Sequence, residues 1–336
     1  MFEFDDSRLE DADALRAADH LLRPLAEAGA RVRQEITSAE GPLGRLDATD
    51  RPRAMLTFGP EARLVRAVLE PTCPVPLVAW PRLGLPGWVG PLDVVVITGG
   101  SDRVSLAAAY EAVRRGCRLL VACPRESVLA RQSASSSTTL LPTSTGDPLA
   151  VAIVVLVALH RLGLGPHVAG EAVAGAMDQV ATESSLILDA TANPAKAIAL
   201  ELAEAQPLVW GGSILAARAS RRVAEALRSA SGRVVLSADS GALEPLLVAV
   251  PPRDPFADPF EESSVERRPG LVLMDDGLDD EQAAEDRQRL RTAALTQDVM
   301  VSNLSHRTGT EIERYVAMLQ QGLFAAAYLQ IGLGRV

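Results

Sequence analysis

The sequence predicts an α/β protein built on two doubly wound parallel sheets, and three observations predict it. Short apolar runs recur along the chain and are continuous rather than alternating, as strands buried on both faces should be. Segments with helical spacing lie between them, which calls for crossover connections and hence parallel strands. The alternation occurs twice, on either side of a break at Gly163-Leu164-Gly165-Pro166-His167. A chain of 336 residues is too long for one ordinary domain of about 100–200 residues and suits two.

Taken in order, Leu15, Ala18, Leu22 and Leu25 lie at helical spacing and Pro24 interrupts them, so 7–33 reads as one or two helices. Strands follow at 53–58, 76–80, 92–98, 118–123 and 138–141, with helices at 61–69, 103–115 and 149–162. The last helix has Asp147 placed to cap it and Pro148 at its first position. The glycine-rich break at 163–167 then sets the expected domains, 1–163 with the N-terminal helices and the first sheet, and 164–336 with the second sheet and a C-terminal helix. In the second domain, 168–180 and 195–205 read as helices, the latter capped by Asn193 before Pro194. Strands at 207–210, 233–236, 271–274 and 299–304 alternate there with helices at 214–229, 280–295 and 310–331. The serine-rich stretch 133–138 and the acidic, proline-rich stretch 251–270 read as exposed loops.

Composition excludes several classes of function. Hydrophobic residues are 48% and charged residues 23%, a globular balance that can fill a core. The formal charge is −10, and Lys196 is the single lysine among 33 basic residues, which disfavours nonspecific binding to nucleic acid or anionic membrane. The longest apolar run, 149–159, is well short of the ~20 residues that span a bilayer, and the acidic start MFEFDDSRLEDAD is unlike a signal peptide. A cytoplasmic location is expected. Cys73, Cys117 and Cys123 form neither an even framework nor a CxxC pair, so reduced thiols are expected, with no structural zinc.

In an open parallel sheet, ligands bind beyond the carboxyl ends of the strands, where loops lead into helix N-termini. The clearest such place is Ile97-Thr98-Gly99-Gly100-Ser101-Asp102-Arg103-Val104-Ser105. Gly99 and Gly100 permit close backbone approach, and Thr98, Ser101 and Ser105 offer hydroxyls suited to phosphate oxygens. The alternative is a plain turn in which Ser101 or Asp102 caps the next helix. Neither GxGxxG nor GxxxxGK[ST] is present, so dinucleotide and nucleoside triphosphate chemistry lack their motifs. No cofactor is expected.

Three stretches carry a family resemblance: 93–123 with its YEAVRRGCRLLVAC ending, the GDPLAVAIVVLVALHRLG helix, and PLVWGGSILAARASRRVAEAL. Over about 50–333 the order of parts resembles the double sugar isomerase (SIS) domain proteins of the bifunctional phosphoglucose/phosphomannose isomerase type. The resemblance implies two flavodoxin-like αβα SIS domains, a homodimer, and a sugar phosphate as the small-molecule ligand. It places Gly59, Thr98, Gly99, Gly100, Ser101 and Ser105 at the sugar-phosphate loops.

Residue by residue, the family's reactive groups are missing. Its first phosphate loop, GxGGSG, corresponds to Gly59-Pro60-Glu61-Ala62, which keeps one glycine and adds a carboxylate. Its second, of Ser-Tyr-Ser-Gly-Asn-Thr type, corresponds to 97–102 and has Asp102 where the phosphate-binding threonine stands. Two unit charges about 4 Å apart repel by roughly 4 kcal/mol at an effective dielectric of about 20, or about three decades of affinity. The arginine of the family's Pro-Arg motif is absent from Asp147-Pro148-Leu149, its proton-transfer glutamate from 228–233, its ring-opening histidine from 241–246, and its late lysine from the C-terminal region.

Isomerisation between aldose and ketose needs a base for the C1 to C2 proton, a ring-opening group, and donors for the enediolate. Glu225, Glu244 and His306 are the conceivable substitutes, and His306 with Glu225 form the catalytic pair to test. The segment Thr308-Gly309-Thr310-Glu311-Ile312-Glu313-Arg314 resembles the family's Gly-Ser-x-Leu-Glu-Arg helix start. The resulting expectation is a sugar-phosphate or carbohydrate-derivative binding protein with lost or altered isomerase activity. One alternative is an active isomerase interconverting glucose 6-phosphate or mannose 6-phosphate with fructose 6-phosphate through substitute residues. Another is a non-catalytic structural partner of a sugar-metabolism enzyme.

Other features read as structure. His160 ends an apolar helix, His167 sits in the break, and the basic cluster of Arg218, Arg221 and Arg222 reads as a solvated helix face, with an anion site as the alternative. Asp254, Asp258, Glu261 and Glu262 lack calcium-loop spacing. The apolar end of the last helix, with Phe324, Tyr328 and Leu329, is either core or a subunit contact.

Overall fold

A computed structural model describes residues 3–48, 50–251, 267–278 and 281–336. Two compact units emerge, one of 28–175 and the other of 1–27 with 176–336. The acidic candidates Asp254, Asp258, Glu261 and Glu262 lie outside the described residues.

The unit of 28–175 holds α3 (Ala28–Leu43), β1 (Met55–Phe58), α4 (Ala62–Leu69), β2 (Leu77–Ala79), β3 (Val94–Ile97) and α5 (Arg103–Arg114), after α1 (Ala12–Ala17) and α2 (Asp19–Ala26) of the other unit. It continues through β4 (Arg118–Cys123), α6 (Val128–Gln132), β5 (Thr138–Pro142) and α7 (Pro148–Arg161). Its five strands are all parallel, in the order β2-β1-β3-β4-β5. Of the runs that read as doubly buried strands, β1 and β3 are buried at every position, whereas the edge strand β2 is half-buried throughout. The apolar run of α7 is explained the same way, since Ala150 through Leu159 are all buried and the helix packs against α3, α4 and β4. Each buried Val, Leu or Ile there contributes roughly 1.5–3 kcal/mol relative to exposure, so a charge at Ile153 would break the layer. Asp147 caps α7 as expected, accepting the Leu149 and Ala150 N–H groups at 2.9 and 3.2 Å.

The other unit is built from α8 (Gly170–Glu183), in which the division falls, α9 (Pro194–Glu201), β6 (Gln206–Gly211), α10 (Ile214–Ser231), β7 (Leu236–Ser237) and α11 (Ser240–Val248). It ends with β8 (Pro269–Asp275), α12 (Glu281–Thr296), β9 (Met300–Ser305) and α13 (Glu311–Gly332). Its four parallel strands run β7-β6-β8-β9. Numbered within the unit this is 2-1-3-4, the first four places of the other sheet's 2-1-3-4-5. The repeated grammar of the sequence is thus a repeated topology.

The domain reading at 163/164 and this division differ at two places. The break at 163–167 does end α7, but residues up to Gly175 belong with the first sheet. The N-terminal helices belong with the second sheet, where Asp5 N–H meets Gly332 O at 2.9 Å, Arg8 Nε meets Ile331 O at 2.9 Å, and Gln320 Nε2 meets Leu25 O at 2.8 Å. Tertiary hydrogen bonds of this kind leave no trace in local periodicity. The lone lysine belongs to the same unit: Lys196 is fully buried, with Nζ 3.1 Å from Glu10 Oε1, 3.2 Å from Leu186 O, and 5.6 Å from the Tyr328 ring centre.

Three elements differ from expectation. The strand expected at 233–236 is Leu236–Ser237, because Arg228 Nη1 takes Val235 O at 2.7 Å and Arg233 turns back onto Leu202 O at 2.9 Å. Helices α6 and α11 were not legible, being short, and α11 also contains Pro245. Phe324, Tyr328 and Leu329 are buried within the chain itself, which decides for core. All three cysteines are free thiols, and burial pushes those of Cys117 and Cys123 up. Among the described residues no helix is long and apolar enough to cross a membrane, and no metal-binding cluster is found.

Candidate functional site at the strand switch points

In each sheet the strand order reverses between its first and third strands, and in open parallel sheets such a switch point, at the carboxyl ends of the strands, is where ligands bind. In the unit of 28–175 the loops there are those after β1 and β3. Thr98 N–H and its hydroxyl both donate to Phe58 O at 2.9 Å, stitching the two loops together. Gly59 closes the joint at φ +102°, and a Cβ there would stand 2.6 Å from Thr98 Oγ1 and 3.1 Å from Gly99 O. Only glycine fits.

Of the six sequence-predicted binding residues, the structure brings Gly59, Thr98 and Gly99 into one joint and sets Gly100 beside Ser105 and Pro60. Ser101 is exposed, while Thr98 and Ser105 are buried. Asp102 is the N-cap of α5. Its Oδ1 accepts the Val104 and Ser105 N–H groups at 2.9 and 3.0 Å, and its Oδ2 accepts the Ser105 hydroxyl at 2.7 Å. Burial alone would raise this carboxyl, but the Ser105 hydroxyl and N–H, then the Val104 N–H, outweigh it and hold Asp102 below the usual carboxylate range. It therefore stays ionised at neutral pH. Of the two readings of this turn, helix capping is what Asp102 does.

A second acid shapes the loop before α7. Glu35, fully buried, accepts Ser144 N–H at 2.9 Å, Thr145 N–H at 2.6 Å and the Thr145 hydroxyl at 2.5 Å. Arg31 Nε meets Asp147 Oδ2 at 2.8 Å. The acid at the start of α7 is thus neutralised from α3 rather than presenting a site arginine.

In the other unit the switch point lies between β6 and β8. Ser213, the N-cap of α10, accepts Ala216 N–H at 3.0 Å and donates its hydroxyl to Asp276 Oδ2 in a short hydrogen bond. Asp276 is buried, and its carbonyl accepts Arg314 Nη1 at 2.7 Å. Asp275 beside it pairs with Arg287 at 2.7 Å and with Arg307. Burial would raise Asp275, but Arg307, the Gly277 N–H and the Arg287 charge together bring it below the ordinary range.

His306 follows β9 and joins this rim, its N–H donating to Asp275 O at 3.1 Å and its Nε2 lying 3.3 Å from Thr308 Oγ1. Burial lowers its pKa, Glu183 and Glu313 oppose, and Arg314 adds to the lowering, so the imidazole is mostly neutral at neutral pH. Glu225 does not join it. It is exposed on α10, twelve residues beyond Ser213, which is about 18 Å along a helix. Glu244, on α11, lies 3.8 Å from Arg289. Sequence reasoning missed Asp275 and Asp276, although Met274-Asp275-Asp276-Gly277 stands after its strand as Ile97-Thr98-Gly99 does after the other.

Known proteins share this architecture. Residues 191–335 match the family model for the bacterial phospho-glucose isomerase C-terminal SIS domain. A glucose-6-phosphate isomerase like protein from Thermus thermophilus superposes with a TM-score of 0.55 at 17% identity, over 96% of this chain and 92% of that one. The chain has the double SIS-like fold. The C-terminal domain of glucosamine-fructose-6-phosphate aminotransferase from Francisella tularensis has the same double SIS fold, with a TM-score of 0.60 at 11% identity, over 93% of this chain and 95% of that one. So does tagatose-6-phosphate ketose/aldose isomerase from Escherichia coli, with a TM-score of 0.56 at 13% identity over 94% and 93%. No curated protein matches the chain. Within the double SIS fold, the carboxylates of Asp102 and Asp276 stand where the loops of the two switch points meet their helices.

Proposed function

We propose that this chain, with its double SIS-like fold, binds a hexose phosphate or a related carbohydrate derivative and does not isomerise it. The observation that carries the reading is the β1/β3 switch point. It keeps the glycine joint of Gly59 and Thr98, together with Gly99, Gly100, Ser101 and Ser105, at the place where open parallel sheets bind ligands, while the groups that the family resemblance expects to move protons are absent from the sequence. Ligand binding asks only for shape and hydrogen bonds, but isomerisation also asks for a base and a ring-opening group held within hydrogen-bond reach of the substrate. His306 has the protonation state of a base, but Glu225, the other candidate, stands about 18 Å along α10 from the switch-point loop. An active isomerase using that pair is not favoured.

The test is thermal shift of the full chain against hexose phosphates, amino-sugar phosphates, the parent sugars and free phosphate, beside coupled assays of glucose 6-phosphate and mannose 6-phosphate isomerisation. Stabilisation by at least one carbohydrate with no turnover is expected. Stabilisation by none would defeat the reading in favour of a structural partner of a sugar-metabolism enzyme. Turnover lost in H306A would reinstate the isomerase. A homodimer and a cytoplasmic location go with this reading on the family resemblance, and sedimentation velocity and cell fractionation test them.

A further inference from the structure

We infer that a cavity at the amino ends of β3, β4 and β5, inside the unit of 28–175, binds a small α-amino acid with an apolar side chain. Val94 and Arg118, which line it, are the first residues of β3 and β4, so it lies at the strand ends opposite the switch-point loops. The inference does not rest on the carbohydrate reading. The cavity's volume is about 170 Å³, below the roughly 300–1,000 Å³ of sites for drug-sized ligands, which suits a molecule of few heavy atoms.

The walls are apolar. Val94, Leu119 and Leu120 supply the sheet side, all buried, and Leu162 and Leu164 supply the side where α7 ends. Two contacts close that end over the turn leaving α3. Arg161 Nη1 donates to Leu43 O at 2.6 Å, and a Cβ on Gly163 would stand 3.7 Å from Ala48 Cβ. In the same turn Arg45 N–H donates to Pro42 O and Leu46 N–H to Leu43 O, both at 3.1 Å, which sets Arg45 and Asp47 at the cavity's rim. A hydrocarbon body is received by such walls through loss of its water-exposed surface.

The rim carries both signs of charge. Arg45 and Asp47 are exposed, and among the described residues neither side chain has a hydrogen-bond or ion-pair partner, so they do not neutralise each other. Arg118 is already committed, its Nη2 donating to Asp50 O at 3.1 Å. The hydroxyls of Ser137 and Thr139 add groups that can donate or accept. A plain carboxylate at this rim would gain Arg45 and be repelled by Asp47, and a plain amine would meet the reverse. An α-amino acid answers both, its carboxylate facing the guanidinium, its ammonium facing Asp47, each through a charge-assisted hydrogen bond, with its side chain on the leucines.

The experiment is isothermal titration of the full chain with leucine and three analogues: isocaproate, which lacks the amine, isoamylamine, which lacks the carboxylate, and glycine, which lacks the hydrocarbon body. Leucine is expected to bind about tenfold tighter or more than each of the three. R45Q and D47N replace exposed side chains that hold no partner, so neither removes a native contact. Each is expected to weaken leucine by about tenfold or more. R45Q should also narrow the gap between leucine and isoamylamine, and D47N the gap between leucine and isocaproate. Absence of leucine binding, an analogue that binds as tightly as leucine, or an affinity unchanged in either variant would overturn the inference, and none of these outcomes bears on carbohydrate binding.

Discussion

The Ser213 hydroxyl does two things at once: it accepts Ala216 N–H at 3.0 Å and donates to the buried carboxylate of Asp276. One small side chain therefore starts α10 and satisfies an acid on the neighbouring β8 loop. Ser213→Ala removes the cap, worth roughly 0.5–2 kcal/mol, and strands the carboxylate at roughly 1–3 kcal/mol more. Urea unfolding should show a loss of about 2–4 kcal/mol, with the S213A/D276A double variant losing less than the sum of the two singles. Additive losses would mean the two residues act separately.

Asp93 sets an acid limit on stability. Its side chain is fully buried, with Arg53 Nη2 at 2.6 Å and Gly90 N–H at 2.8 Å. Burial pushes it up, but the Arg53 hydrogen bond, the Gly90 N–H and the Arg53 charge bring it below the ordinary value of 3.8. A carboxyl lowered in the folded state adds stability that is complete above its unfolded pKa and disappears as pH falls through the folded one. D93N should be less stable than the parent by about 1–3 kcal/mol at pH 7, and the gap should close as pH falls below 3.8 and through the lowered folded value. Denaturant midpoints measured from pH 2 to 7 check this, and a gap that persists at the acid end would rule it out.

The imidazole of His306 should titrate below 6.5 in the folded chain, as burial dictates, and nuclear magnetic resonance of its ring protons reads the midpoint directly. Glu183 opposes the lowering, so E183Q should move the midpoint further down. Because the folded value is lowered, His306 contributes stability above its unfolded pKa and loses it as pH falls through the folded one. A midpoint at or above 6.5, or one unmoved by E183Q, would contradict this account of its surroundings.

Gly59 tests the joint between the two loops. Gly59→Ala combines φ +102° with a 2.6 Å approach to Thr98 Oγ1, and should cost about 1–3 kcal/mol by chemical denaturation. Adding T98A relieves the closest approach but not the Gly99 carbonyl at 3.1 Å, so rescue should be partial. Full rescue would show that the backbone angle costs nothing there.

The architecture was legible because burial on two faces writes itself into composition. The continuous runs of β1, β3 and α7 are apolar for the same reason they are buried, and Asp147 and Asn193 announce the helices they cap. What was not legible depends on partners distant in sequence. Nothing near Glu10 or Leu25 says that they meet Lys196 and Gln320. The site was half legible: the Thr98-Gly99-Gly100 turn marked the first switch point, but Asp102 could be read as a cap or as a ligand-facing group until its three donors were seen. Asp276 was overlooked because its meaning comes from Ser213, on a different strand's loop.

The burial of Lys196 leaves the folded surface without a single lysine amine, every side-chain cation there being a guanidinium or an imidazole. Acylating reagents therefore find no side-chain amine on intact molecules and reach one when the second-sheet unit opens. The extent of labelling at that nitrogen becomes a count of opened molecules.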